Sequence, residues 1–210
     1  MAGRFVTFEG GEGAGKTTQI RRLAARLEVE GIAVVTTREP GGTPRAETIR
    51  DFILSGQARA LGVEAEAALF AAARADHVAT VIRPALAAGR WVLCDRFADS
   101  TRAYQGADGA DPDFLGALEA VAVGATRPDL TVVLDLPVED GLARIAGRGG
   151  GPDRFEAETI ERHRRRRAIF LEIAAREPQR CVVLDGRGSP EAVADAVWRT
   201  VRERLIEGAR

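Results

Sequence analysis

The sequence predicts a doubly wound α/β fold, with a five-stranded parallel sheet covered by helices on both faces. Two observations predict it. Five short apolar runs alternate with longer amphipathic stretches from end to end, and a glycine-rich turn stands directly between the first run and the first helical pattern. Strands buried on both faces read as short continuous apolar runs, and strand–helix alternation implies parallel pairing with ligands at the carboxyl ends of the strands.

The elements follow in order. Residues 4–8, 33–37, 91–95, 130–136 and 181–185 are the five predicted strands. Ile20, Leu23, Ala24 and Leu27 recur at i, i+3, i+4 and i+7, and Gly31 supplies the stop, which makes this stretch the first helix. The alanine-rich segment 64–88 carries Pro84 near its end and is closed by Gly89, so it reads as one helix that kinks or breaks late. Ser189, Pro190 and Glu191 form a cap, a first-turn proline and an early acid ahead of Val193, Val197, Val201 and Leu205, the closing helix. Two loops stand apart. Arg38–Pro44 follows the second strand, and 147–154, four glycines and a proline among two arginines, reads as a flap by composition.

With 210 residues, 45% of them hydrophobic, the chain suits one domain spanning 1–210, and no internal repeat or long polar linker divides it. A formal net charge of −1 gives no overall positive field for a nucleic-acid backbone or an anionic membrane, so any anion must meet a local site. No run approaches the roughly 18 apolar residues that cross a bilayer. The start, Met1-Ala2-Gly3-Arg4, leads straight into a strand pattern without the features of a signal peptide, so a cytoplasmic location is expected. Cys94 and Cys181 lie inside predicted strands without metal-ligand spacing and read as buried reduced thiols.

The thirty basic residues include one lysine, Lys16, and it sits in the strongest motif of the chain. Gly10-Gly11-Glu12-Gly13-Ala14-Gly15-Lys16-Thr17 fits G-x-x-x-x-G-K-[ST] between a strand and a helix, the context this phosphate-binding loop requires. Its backbone N–H groups turn inward around phosphate oxygens, Lys16 reaches the β- and γ-phosphates, and Thr17 offers a hydroxyl to Mg²⁺. Asp95-Arg96 ends the third strand at the ligand edge. There a carboxylate orients the metal's water and an arginine bridges two phosphates, unless the two residues are a plain surface ion pair. A guanine-specific N-K-x-D motif is excluded, because the only lysine is already used. Leu54-Ser55-Gly56-Gln57 lacks a glycine of the transporter-type signature and reads as a helix end.

Five motifs in register resemble those of bacterial thymidylate kinases: Phe8-Glu9-Gly10 through Thr18, Thr37 through Thr43, Phe70 through Val78, Asp95 through Thr101, and Ala103-Tyr104-Gln105-Gly106. The resemblance implies a P-loop kinase with a lid at about 144–156 that phosphorylates dTMP with Mg-ATP. It implies an ATP site of Gly10, Gly11, Glu12, Gly13, Ala14, Gly15, Lys16, Thr17 and Thr18, with Arg144 and Arg148. Phe70 would stack on thymine and Arg74 would bond its O4 edge. Thr101 would face N3, Gln105 would border the base, and Tyr104 would fill the space beside C2′. Glu12 would accept the 3′-hydroxyl, Arg50 and Arg96 would hold the acceptor phosphate with Glu39 near the same end, and Ser100 belongs to the same set. Lys16, Asp95, Arg96 and Arg148 are the implied catalytic group, with Thr17 and Asp95 toward Mg²⁺. The variable loop positions carry no base, so the lid must supply the catalytic arginine, Arg148 first, with Arg144 and Arg154 as companions. The Arg38–Glu39 stretch retains a second reading, a plain turn with a surface ion pair.

His163-Arg164-Arg165-Arg166-Arg167 lies in a helical stretch flanked by Glu156, Glu158, Glu161 and Glu172, and reads as a solvated, ion-paired face. No nucleic-acid or membrane partner is expected, and the family resemblance implies a homodimer. The rival readings are another P-loop nucleoside monophosphate or deoxynucleoside kinase, and a nucleotide-gated binding protein that transfers nothing.

Overall fold

The structure, a computed structural model, describes residues 2–147 and 154–208. Strands β1 (Phe5–Glu9), β2 (Val34–Arg38), β3 (Trp91–Asp95), β4 (Leu130–Asp135) and β5 (Cys181–Asp185) form one sheet in the order β2-β3-β1-β4-β5, parallel throughout. Phe8 lies beside Asp95 and Glu9 beside Val133, so the carboxyl ends of the central strands reach one edge together.

Each strand returns through helix. The α-helices are α1 (Lys16–Val29), α2 (Pro44–Leu54), α3 (Val63–His77), α4 (Arg83–Ala87), α5 (Ala98–Ala107), α6 (Pro112–Val123), α7 (Val138–Ala146), α8 (Ile160–Arg176) and α9 (Pro190–Val201). On one sheet face Ile20, Leu23, Ala24 and Leu27 of α1 pack with Val193, Val197 and Val201 of α9, the spacing the sequence predicts. On the other face lie Val78, Ile82 and Phe97 with Phe5, and Tyr104, Phe155 and Phe170 with Val133. The thiols of Cys94 and Cys181 are free and buried, and burial pushes the first well up and the second to about 11.

Two differences from the sequence reading have physical causes. The three inner strands are buried, but β2 and β5 are half-exposed, because an edge strand has only one neighbour and partial helical cover. The predicted late break before Pro84 is a π-helical turn, Val78–Ile82, that carries the helix onward; the wider turn absorbs the amide that proline lacks.

Cap chemistry recurs. Thr43, Asp111 and Ser189 each accept from an amide three residues on, at 3.0, 2.9 and 3.2 Å, and each precedes a proline. Helix α5 has no such side-chain cap. Its cap residue is Phe97, which has no side-chain acceptor.

Helix α7 meets the glycine loop backbone to backbone, Gly141 against Glu12 and Gly13. A Cβ at Gly141 would run into the Glu12 carbonyl oxygen, and one at Gly13, whose φ is 71°, would run into Gly141. Replacing a helical glycine by alanine ordinarily stabilises by up to about 1 kcal/mol. Gly141→Ala is expected to do the opposite, costing about 1–3 kcal/mol as the loop is forced from the helix. Equilibrium denaturation reads this, and a stabilised variant would show that α7 and the loop separate freely.

Candidate active site

The carboxyl edge of the sheet opens into a cavity of about 600 Å³ lined by the glycine loop, the ends of β2 and β3, helices α3 and α5, and Phe155 and Glu156. At one end the loop from Gly10 to Gly15 curls around the Lys16 ammonium, which donates to the carbonyls of Gly10 at 3.2 Å and Gly11 at 2.9 Å. Burial and the nearby Arg96 lower the Lys16 pKa, against the pull of Glu12, Asp95 and Glu9. Thr17 is exposed at the start of α1 and donates to Asp95 Oδ2 at 2.6 Å. This pair of hard oxygens suits a Mg²⁺ ion that keeps water and phosphate ligands, the usual way such an ion is held. Ala14 and Thr18 also line this end, and Arg144 reaches it with Nη2 on the Gly186 carbonyl at 3.0 Å.

Arg96 occupies the middle. Its φ of 68° makes it the only non-glycine in the left-handed region among the described residues, a conformation that costs on the order of 1–2 kcal/mol. That turn sends the guanidinium back over the loop. It donates to Glu12 at 2.8 Å, to the Gly10 carbonyl at 3.3 Å and to Ser100 Oγ at 3.1 Å, and its carbon lies 4.9 Å from the Tyr104 ring centre. Burial opposes the charge on Glu12, but Arg96, Lys16 and the Tyr104 hydroxyl at 2.5 Å outweigh it and hold its carboxyl at about 2. Glu12 is therefore an anion at any physiological pH.

Glu9, wholly buried at the end of β1, receives the Phe97 amide at 2.7 Å, the Ser100 amide at 3.3 Å and the Ser100 hydroxyl at 2.6 Å. It supplies the cap that α5 lacks. Burial, with Asp99 adding repulsion, pushes its carboxyl up to about 7 against Arg96 and these hydrogen bonds.

The far end is an apolar slot floored by a polar network. Phe70 and Phe155 lie 6.4 Å apart between centroids with their rings tilted by 52°, and Tyr104 meets Phe155 edge-on at 5.5 Å. Beneath them Arg74 donates to Glu39 at 2.7 Å, to the Phe97 carbonyl at 3.1 Å and to Thr101 Oγ1 at 3.0 Å. His77 bridges the other Glu39 oxygen at 2.9 Å and Thr37 at 2.7 Å. Gln105 donates to Glu66 at 3.0 Å, and Arg50 reaches from α2 to the Pro40 carbonyl at 2.8 Å.

The predicted site residues within the described chain line this one cleft, except Gly10 and Gly11, which lie against the end of β4 and α8. Four expectations change or fall outside it. Arg148 lies outside the described residues. Arg154 turns away from the glycine loop to pair with Glu66 at 2.6 Å, so it stands at the base of the slot and not beside Arg144. Arg38 makes a surface ion pair with Glu47, not with Glu39. Glu39 is instead buried against Arg74 and His77, which excludes the plain-turn reading.

The sequence profile of the thymidylate kinase family matches residues 8–197. A thymidylate kinase from Rhodopseudomonas palustris is 60% identical over 214 residues, covering 100% of this chain and 93% of the relative. One from a Bradyrhizobium species is 60% identical over 207 residues, covering 97% of this chain and 92% of its own. Among solved structures, the crystal structure of thymidylate kinase from Ehrlichia chaffeensis superposes with a TM-score of 0.78 at 32% identity, covering 96% of this chain and 100% of that one.

The basic run of α8 departs from its predicted role. Arg164 does pair with Glu139 on the surface, and Arg167 pairs with Asp135 at 2.6 Å. Arg166, by contrast, is 1% exposed. It pairs with Glu158 and stacks on Tyr104 with 4.2 Å to the ring centre. His163 is buried as well. A run of five polar residues must wrap the whole helix, so part of it faces inward, and only the packing shows which part. Arg166→Leu leaves Glu158 without its buried partner and is expected to cost about 3–5 kcal/mol, whereas Arg164→Ala, on an exposed pair, should stay within about 1 kcal/mol. Urea denaturation of both variants measures the difference, and equal small losses would return Arg166 to the solvated face.

Proposed function

Because the chain belongs to the thymidylate kinase family, we propose that it transfers the γ-phosphoryl group of ATP to the phosphate of dTMP, with Mg²⁺ as the metal. The observation that carries this reading is the single cleft that joins a glycine loop for a triphosphate to an aromatic slot through one arginine, Arg96.

Phosphoryl transfer is mostly positioning and charge stabilisation, so each residue's contribution follows from where it stands. In this reading Gly10 to Thr18 cradle the donor, with Lys16 against its terminal phosphates. Thr17 and Asp95 would hold the metal, which when bound would supply positive charge to stabilise the phosphates. Arg96 and Arg50 hold the acceptor phosphate beside the loop. Phe70 stacks on the thymine with the tilted Phe155 ring beside it, Arg74 and Thr101 meet its polar edge, and Gln105 closes the slot. Tyr104, held by Glu12 and Arg166, crowds the sugar at C2′, and Glu12, a fixed anion, accepts the 3′-hydroxyl. Arg144 stands on the donor side, and Arg148 is assigned the stabilisation of the transferring group. One domain, 1–210, carries all of these groups, and a cytoplasmic homodimer is the proposed form. No helix among the described residues is long and apolar enough to cross a membrane.

A panel of nucleoside monophosphates with Mg-ATP tests the reading. dTMP is expected to be the preferred acceptor over dCMP, dAMP and thymidine, and binding of ATP with no ADP release in a coupled assay would leave only a nucleotide-gated binding protein. Phe70→Ala should weaken dTMP binding by about 1–3 kcal/mol, the usual worth of one base stacked on an aromatic, with ATP affinity nearly unchanged. Calorimetry with each nucleotide separates the two sites, and an equal loss for ATP would mark Phe70 as part of the core.

A further inference from the structure

Arg96 reaches the cleft only because its own backbone is turned left-handed, a conformation that disfavours a residue with a Cβ. The residues after it then begin α5 without a side-chain cap, because Phe97 offers only its carbonyl, which takes the Ser100 amide at 3.1 Å. The acceptor comes from another element. Glu9 collects the Phe97 amide and both the amide and hydroxyl of Ser100, and the same Ser100 hydroxyl oxygen accepts from Arg96 Nη1. The Arg96 amide meanwhile still donates to the Phe8 carbonyl at 2.9 Å, so both sides of the turn are tied to the last two residues of β1.

From this geometry we propose that Glu9 is the positioning residue of the cleft: it fixes the left-handed turn and the Ser100 hydroxyl that together aim the Arg96 guanidinium. The proposal rests on the reading of Arg96 as a holder of the acceptor phosphate. Glu9 does not line the cleft. Its action reaches the phosphate region through Arg96 and the Ser100 hydroxyl that holds it, so a ligand without the phosphate should not sense its loss.

That restriction supplies the test. Binding of dTMP, thymidine and ATP is measured by calorimetry for the wild-type protein, Glu9→Gln, Arg96→Ala and the double variant. Glu9→Gln keeps one oxygen acceptor but loses the charge and the second oxygen. It is expected to weaken dTMP about tenfold or more, a coupling of the size found between contacting residues, and to leave thymidine and ATP within about twofold. In the Arg96→Ala background the same change should have no further effect. Equal weakening of thymidine, losses that add in the double variant, or unchanged dTMP affinity would each overturn the proposal and leave Glu9 a helix cap alone. Should Glu9→Gln not fold, Glu9→Asp, one methylene short of the Ser100 hydroxyl, undergoes the same comparison, and the same outcomes support or overturn the proposal. A wild-type protein that binds thymidine as tightly as dTMP would instead remove the acceptor-phosphate reading of Arg96, and the proposal with it.

Discussion

Glu12 and Arg96 meet at 2.8 Å where β1 and β3 end, and the central part of the cleft is organised by that contact. Two features make it possible. The loop must bring an acid into a turn built to attract anions, and Arg96 must leave β3 backwards, through a φ that no other non-glycine among the described residues adopts. Lys16 and Arg96 are both buried in this region, and burial together with the Arg96 charge lowers the Lys16 pKa. Glu12 opposes that shift. It holds Arg96 cationic while remaining an anion itself, so the cleft can keep two positive charges at the phosphate positions before any phosphate is present.

The same solution recurs at the slot. Arg74 is buried, and Glu39 neutralises it, while His77 and Thr37 occupy the second carboxylate oxygen. A buried charge pair is costly unless its remaining hydrogen-bonding capacity is used. Here Arg74 also donates to the Phe97 carbonyl and to Thr101, one on each side of the α5 start. The slot and the phosphate region are therefore fixed to one helix end: Arg74 holds it from α3, and Glu9 holds it from β1. Rigid positioning of this kind is what phosphoryl transfer demands, since the reaction gains little from covalent participation by the protein.

Much of this is legible in the sequence, and the divisions are physical. Strands and the helices α1 and α9 announce themselves because their apolar spacing is set by one neighbouring sheet. The glycine loop is legible because its chemistry lies within eight consecutive residues. Glu9 stands out in the sequence only as part of a motif, without a role of its own, because its partners Phe97 and Ser100 are some ninety residues away and no local spacing links them. Arg166 is hidden for the opposite reason. It sits among four other polar residues, and helical position alone does not say which of them meets an aromatic ring across the core. Phe155 escapes a sequence reading because it follows a glycine-rich stretch whose composition resembles a loop with nothing to bury.

Phe155 and its neighbours also change how that stretch connects to the cleft. Arg154 pairs with Glu66 of α3 and donates to the Ile53 carbonyl at the end of α2. Phe155 completes the wall beside Phe70 and Tyr104, and Glu158 pairs with Arg166 and Arg162 of α8. Four helices, α2, α3, α5 and α8, thus contact residues that directly follow the glycine-rich stretch. Withdrawing these residues would leave the buried Glu66 with Gln105 but no cation, and would take the Glu158 carboxylate from the buried Arg166. Phe155 and Glu156 are accordingly part of the pocket wall. The Tyr104 ring, with Arg96 on one contact and Arg166 on another, is the place where that wall and the phosphate-binding arginine touch the same side chain.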